Sequence, residues 1–116
     1  MDNTLRAGTN LAGGKYTIVR SLGKGTFGIT YQANMVSTVS GELGVMNVNV
    51  SVAVKEFFMS DMNSRGPEGS LVEGSESSLV QNYRRKFRKE AENLSHLKHE
   101  NIVKVLDIFD ENNTTY

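Results

Sequence analysis

The chain has 116 residues, enough for one small domain with a modest core, and its thirteen basic and thirteen acidic residues cancel, so no overall charge imbalance points to nucleic acid. Cysteine is absent, which excludes a disulfide framework and cysteine-based metal sites and fits a reducing compartment. No apolar run approaches the ~18 residues of a membrane span, and Met1-Asp2-Asn3-Thr4 lacks the basic and then apolar layout of a signal peptide, so the expectation is a cytoplasmic domain without a membrane partner.

Residues 1–14 are polar and end in Ala12-Gly13-Gly14, which reads as a mobile leader or a short flanking strand. Tyr16 to Leu22 is rich in β-branched residues and reads as a strand. Then comes Leu22-Gly23-Lys24-Gly25-Thr26-Phe27-Gly28-Ile29-Thr30-Tyr31, with three glycines at G-x-G-x-x-G spacing, and Ile29 to Met35 reads as the returning strand. Glycine lets a backbone approach a phosphate closely and take dihedrals other residues avoid. The same spacing serves dinucleotide-binding Rossmann units, but there the third glycine opens a helix and an acid follows about 20 residues later. Here β-prone residues follow Gly28, and the nearest downstream acid, Glu42, lies in turn chemistry between Gly41 and Gly44. No Gly-Lys-Ser or Gly-Lys-Thr occurs, so the triphosphate P-loop is excluded as well. What remains is a glycine-rich β-hairpin with an aromatic, Phe27, at its tip.

Ser37 to Gly44 reads as a turn, and Val45 to Phe58 as a second β-rich run. Val48, Val50, Val52 and Val54 share one face; Asn49, Ser51, Ala53 and Lys55 share the other. A lone strand lysine is ordinarily a solvated face residue. Ser60 to Ser78 is polar, carries four acids against one base (Arg65), and reads as a mobile surface loop or tolerated insertion.

A helix is expected from about Ser78 to Leu97, capped by Ser77 or Ser78. Tyr83, Phe87, Ala91 and Leu94 fall on one helical face. Glu90 borders that stripe, where a carboxylate is costly unless a cation meets it. Lys86 at i−4 is the bland partner, but in the weaker order, so a cation from elsewhere in the fold is the alternative. Arg84, Arg85, Lys86, Arg88 and Lys89 form a basic window that reads as a solvated face, with the acidic 60–78 loop as the sharper partner. His96 and His99 lack an evident third ligand and read as helix-end and turn residues. Ile102 to Phe109 reads as a strand, Asp110 to Asn113 as a turn, and Thr114 to Tyr116 as the start of another strand.

In order, these pieces resemble the N-terminal lobe of a protein kinase. Gly23-Lys24-Gly25-Thr26-Phe27-Gly28 is similar to the family's nucleotide loop, and Val52-Ala53-Val54-Lys55 to its third-strand lysine motif. Glu90, within Phe87-Arg88-Lys89-Glu90-Ala91-Glu92-Asn93-Leu94, resembles the glutamate of its large helix, and Leu97-Lys98-His99-Glu100-Asn101-Ile102-Val103 the segment leading into its fourth strand. Phe27-Gly28-Ile29-Thr30-Tyr31 and Val54-Lys55-Glu56-Phe57-Phe58 look most like bacterial serine/threonine kinases. The resemblance implies an α+β fold: a small antiparallel β-sheet with one major helix and a truncated fifth strand. It divides the chain into a 1–14 leader and a 15–116 partial kinase domain.

By the same resemblance the ligand is ATP with Mg²⁺. Leu22, Thr30 and Ala53 would contact adenine, the glycine loop would cover the phosphates, and Lys55, held by Glu90, would anchor them. Thr30 stands where valine is usual, swapping a methyl for a hydroxyl. No H-R-D-x-x-x-x-N and no D-F-G occurs. The protein substrate and the metal ligands are therefore expected on a second lobe, and these 116 residues alone are not expected to transfer phosphoryl groups. The connections on either side of Lys55 look longer than is common in the family. Unpaired sheet edges are expected to promote self-association. The alternative reading is a non-catalytic nucleotide-binding or regulatory module. A basic-helix nucleic-acid binder would instead require steep salt dependence.

Overall fold

Four antiparallel strands in sequence order build the main sheet of the computed structural model, which describes residues 3–96 and 104–116. They are β1 (Asn10–Leu11), β2 (Tyr16–Lys24), β3 (Gly28–Gly41) and β4 (Gly44–Phe57). In the segment read as a leader or flanking strand, Asn10–Leu11 pairs with Thr17 and Tyr16, and Leu5 and Leu11 are buried. Alternation decides which face is the core. Ile29, Tyr31 and Ala33 are buried on β3, opposite Glu56, Val54 and Val52 of β4. With Tyr16, Ile18, Phe58, Val72 and Tyr116 they form the larger apolar cluster.

The segment expected to turn at Ser37–Gly44 is mostly strand. The β3–β4 ladder runs without a register shift from Gly28↔Phe57 to Gly41↔Gly44, leaving only Glu42 and Leu43 as the loop. Val36, Thr38 and Val39 are β-branched, and their unbroken ladder with Met46–Asn49 outweighs the local serines. Gly44 closes the hairpin at φ 116°, a value side chains rarely adopt. Strand β2 accompanies β3 only as far as the Tyr16↔Met35 pair, so beyond it β3 and β4 continue as a two-stranded ribbon.

The 60–78 stretch is tied to the body rather than loosely solvated. It carries β5 (Ser64–Arg65) paired with β6 (Val72–Glu73), and Val72, Asn63 and Ser75 are buried. The Val72 N–H donates to the Asn112 carbonyl at 2.8 Å. Two residues account for this: Val72 enters the larger cluster, and Arg65 meets a buried acid.

Helix α1 (Ser78–Ser95) is capped by Ser77, whose side chain accepts from the Leu79 N–H. At the far end the His96 N–H donates to the Asn93 and Leu94 carbonyls. Val80 is buried with Phe57 and Met59, and Tyr83 and Phe87 pack against that smaller cluster. Residues 104–109, the described part of the strand expected at 102–109, carry no strand. A strand needs a ladder partner, and here pairing begins only at Phe109 with Tyr116. It continues through β7 (Asp110–Glu111) and β8 (Thr114–Thr115), joined by Asn112 and Asn113 at φ 53° and 61°. The expected segment 97–103, with His99 and Glu100, lies outside the described residues.

The basic helix face finds its acid on this last hairpin, not on the 60–78 loop. Arg84 and Arg88 both reach Asp110, and Arg84 also donates to the Thr115 hydroxyl at 2.8 Å. The Thr115 hydroxyl bond draws the Asp110 carboxyl below its usual range; partial burial opposes this, and the two guanidinium groups reinforce it. No helix among the described residues is long and apolar enough to cross a membrane.

Candidate functional site

The front face of the sheet, the one opposite the larger cluster, follows from the β3–β4 register. Gly28 pairs with Phe57, Thr30 with Lys55, and Gln32 with Ala53. Helix α1 lies against this face through the tilted ring contact of Phe57 with Phe87, centroids 5.6 Å apart. Between sheet and helix runs a cleft lined by Gly23, Gly25, Phe27, Gly28, Thr30, Lys55 and Glu90, with Tyr83, Lys86 and Phe87 as its helical wall. A second hollow, contiguous through Thr30, Lys55, Phe87 and Glu90, extends past Ala53 toward Lys104–Phe109. Of the residues singled out from the sequence, Leu22, Lys24 and Thr26 line neither. Leu22 is exposed, the Lys24 amino group sits 5.8 Å from the Phe58 ring centroid, and the Thr26 carbonyl accepts from the Ser60 N–H.

The glycines of the hairpin act through space, not unusual dihedrals. None of Gly23, Gly25 and Gly28 has a positive φ. A Cβ on Gly28 would lie 3.1 Å from the Glu56 carbonyl and 3.5 Å from Lys55 Cε, so a side chain there would press on the lysine. Gly23 has nothing within 4 Å on its Cβ side, leaving open room beside the backbone. The hairpin tip is held down. The Phe58 N–H donates to the Phe27 carbonyl at 3.1 Å, and the Phe27 ring stacks on Tyr83 of α1, centroids 4.8 Å apart.

Lys55 is exposed, with its ammonium 5.8 Å from the Phe87 ring centroid. Glu90 is exposed on the helical wall of the same cleft. Among the described residues no ion pair joins Glu90 to Lys55 or to Lys86. The structure therefore brings the lysine, the glutamate and the glycine hairpin to one cleft without closing the lysine–glutamate contact. Among the described residues no group of three or more His, Asp or Glu side chains could hold a metal ion.

The carboxylate that does meet a cation on a buried face is Glu56, one residue after Lys55 on the opposite side of β4. It is fully buried. Arg65 Nη2 donates to its Oε1 at 2.6 Å and Nη1 to its Oε2 at 3.0 Å, a two-pronged contact. The Tyr31 hydroxyl donates to Oε1 at 2.9 Å and the Tyr116 hydroxyl to Oε2 at 2.6 Å. Arg65 also donates to the carbonyls of Asn3 and Ser70, and the Tyr31 hydroxyl accepts from the Leu5 N–H. Burial first, and then the Glu56 charge, push both phenols well above their ordinary pKa. Sequence reading missed this cluster, yet the signal was present. The Val48–Val54 alternation continues onto Glu56, and the only base of the 60–78 stretch is Arg65.

No protein-family model matches the chain, and no curated protein matches it. The solved structure "PpkA-294 apo form" is similar to it, with a TM-score of 0.77 and 24% sequence identity over 98% of this chain. The chain spans 37% of the length of that structure. At this identity the likeness is one of fold. The fold is α+β, a small curled antiparallel sheet with one helix, of the kind found in the N-terminal lobe of protein kinases.

Proposed function

We propose that the chain is the ATP-binding N-terminal lobe of a serine/threonine protein kinase. The glycine hairpin would cover the phosphates, Lys55 would anchor them, and Glu90 would hold Lys55. The observation that carries this reading is the convergence of Gly23, Gly25 and Gly28 of the hairpin, Lys55 of β4 and Glu90 of α1 on one cleft in a kinase-lobe-like fold. The residues present fit a nucleotide. An exposed ammonium with no carboxylate at ion-pairing distance among the described residues can meet an anion, and the open space beside Gly23 lets the backbone come close to one. The serine/threonine assignment rests on the likeness of the Phe27–Tyr31 and Val54–Phe58 runs to bacterial kinases of that class.

ATP supplies the transferable phosphoryl group when bound; this chain's part is binding and orientation. The Phe27–Tyr83 stack joins the hairpin tip to α1 across the cleft. The protein substrate, the Mg²⁺ ligands and the catalytic acid–base group would come from a second lobe. The reading is tested by titrating MgATP into isotope-labelled protein and following amide resonances. Shifts are expected at Gly23, Gly25, Gly28 and Lys55, with affinity reduced about tenfold or more in Lys55→Ala, the cost of one charge-assisted contact. Shifts absent from the hairpin, or unchanged affinity in Lys55→Ala, would refute it.

A further inference from the structure

The outer part of the β3–β4 ribbon has no use in the nucleotide cleft. Beyond Met35 no third strand accompanies β3, and among the described residues no strand pairs with the outer edge of β4. Every residue from 38 to 51 is exposed. The face that buries Tyr31, Ala33 and Val54 continues outward as Met35, Val39, Met46, Val48 and Val50, and among the described residues nothing buries the outer four. From Asn34 to Val54 there is one charged side chain, Glu42, and no proline. The β3–β4 ladder has no bulge; the register shifts lie between β2 and β3.

These features are opposite to those that keep an edge strand solitary. Edges are normally blunted by charge, proline, a bulge or shortness, and this ribbon has none of them. A two-stranded ribbon alone is marginally stable in water, yet this one projects six residue pairs, from Val36↔Asn49 to Gly41↔Gly44, or ~20 Å at strand rise.

We propose that the ribbon is a homodimerisation arm. The free edge of β4 over Val45–Val50 pairs antiparallel with the same edge of a second copy, continuing the sheet across a two-fold axis. A two-fold contact sets a segment against itself, which charged side chains would penalise, and Val45–Val54 carries none. Asn47 and Asn49 lie on one face and can bond to their counterparts, while Met46, Val48 and Val50 pool apolar surface on the other. A partner recognised by opposite charge has nothing to grip here. A bilayer surface would select basic side chains, and the arm has none.

The test compares the chain with an arm-shortened variant in which residues 37–48 are replaced by Asn-Gly. Val36 and Asn49 already face each other, so a two-residue turn closes the shorter hairpin. Sedimentation equilibrium should show a reversible dimer for the chain and a monomer for the variant, with the same thermal midpoint for both at concentrations low enough that the chain is also monomeric. Hydrogen exchange should show amides of Val45–Val50 gaining protection as concentration rises. Val48→Lys, which keeps the hairpin length, should weaken the dimer at least tenfold at low salt. A chain that stays monomeric at every concentration would overturn the proposal and leave the arm to a different protein. A dimer that survives both changes would overturn it too, by placing the contact elsewhere.

Discussion

Lys55 and Glu56 are neighbours on β4 with opposite surroundings. Glu56 is fully buried, and four hydrogen bonds from Tyr31, Arg65 and Tyr116 saturate its carboxylate. Lys55 is exposed, and among the described residues no carboxylate stands within ion-pairing distance of it. The difference teaches where this small domain puts its geometric precision. A low-dielectric face cannot tolerate a charge without partners, so it must complete the set. A solvated face can leave a charge uncommitted and ready for a ligand. One residue of strand, with its two-fold alternation, separates the two demands. The back-face cluster joins the N-terminal segment through Asn3 and Leu5, the sheet, the 60–78 stretch and the last hairpin. It thereby fixes the strand that presents Lys55.

The sharpest way to break the contrast is Glu56→Ala. It leaves the Arg65 guanidinium buried without its acid, and loss of one partner of a buried pair costs about 3–5 kcal/mol. Urea unfolding followed by circular dichroism should show that loss as a lowered midpoint; a small effect would mean water reaches Arg65 readily. A second probe uses pH. Tyr31 and Tyr116 are held neutral in the folded state, because burial and the Glu56 charge raise their pKa values. Below about pH 10 both states keep neutral phenols, and the full stability is present. Above it the unfolded chain ionises and the folded one does not. Stability should then fall by ~1.4 kcal/mol per pH unit for each such tyrosine. Tyr31→Phe or Tyr116→Phe should each lower that alkaline slope in urea midpoints; a slope indifferent to both would mean that these buried phenols do not set it. The smallest effect is expected on the front face. Lys55→Ala should change stability by no more than ~0.5 kcal/mol, even while it weakens nucleotide binding. A loss comparable to that of Glu56→Ala would erase the distinction between the two faces.

The elements legible in the sequence are those with a long, clean period. The helix, a cap at Ser77 or Ser78 and the Tyr83–Phe87 stripe are legible in the sequence, as are β2, the inner part of β3 and β4. Local composition misled where a partner decided the outcome. Ser37–Ser40 reads as a turn until Val45–Val48 is set opposite, and 104–108 reads as part of a strand although no ladder forms there. The 60–78 stretch reads as solvated because its acids outnumber its base, but Arg65 on Glu56, Val72 in the larger cluster and Ser75 on the Asn113 carbonyl tie it down.

The same division holds at the site. Which residues share a face, and the order of the three glycines, Lys55 and Glu90 along the chain, was determined by sequence, because periodicity and spacing are local properties. Whether a given charge is satisfied was decided only in three dimensions. The reasoning that a carboxylate on an apolar edge needs a cation applies to Glu90 and Glu56 alike. The fold supplied partners to Glu56 from residues 31, 65 and 116, and left Glu90 at the open mouth of the cleft. Burial and pairing depend on what distant segments bring to a point in space, and no window of sequence contains that information.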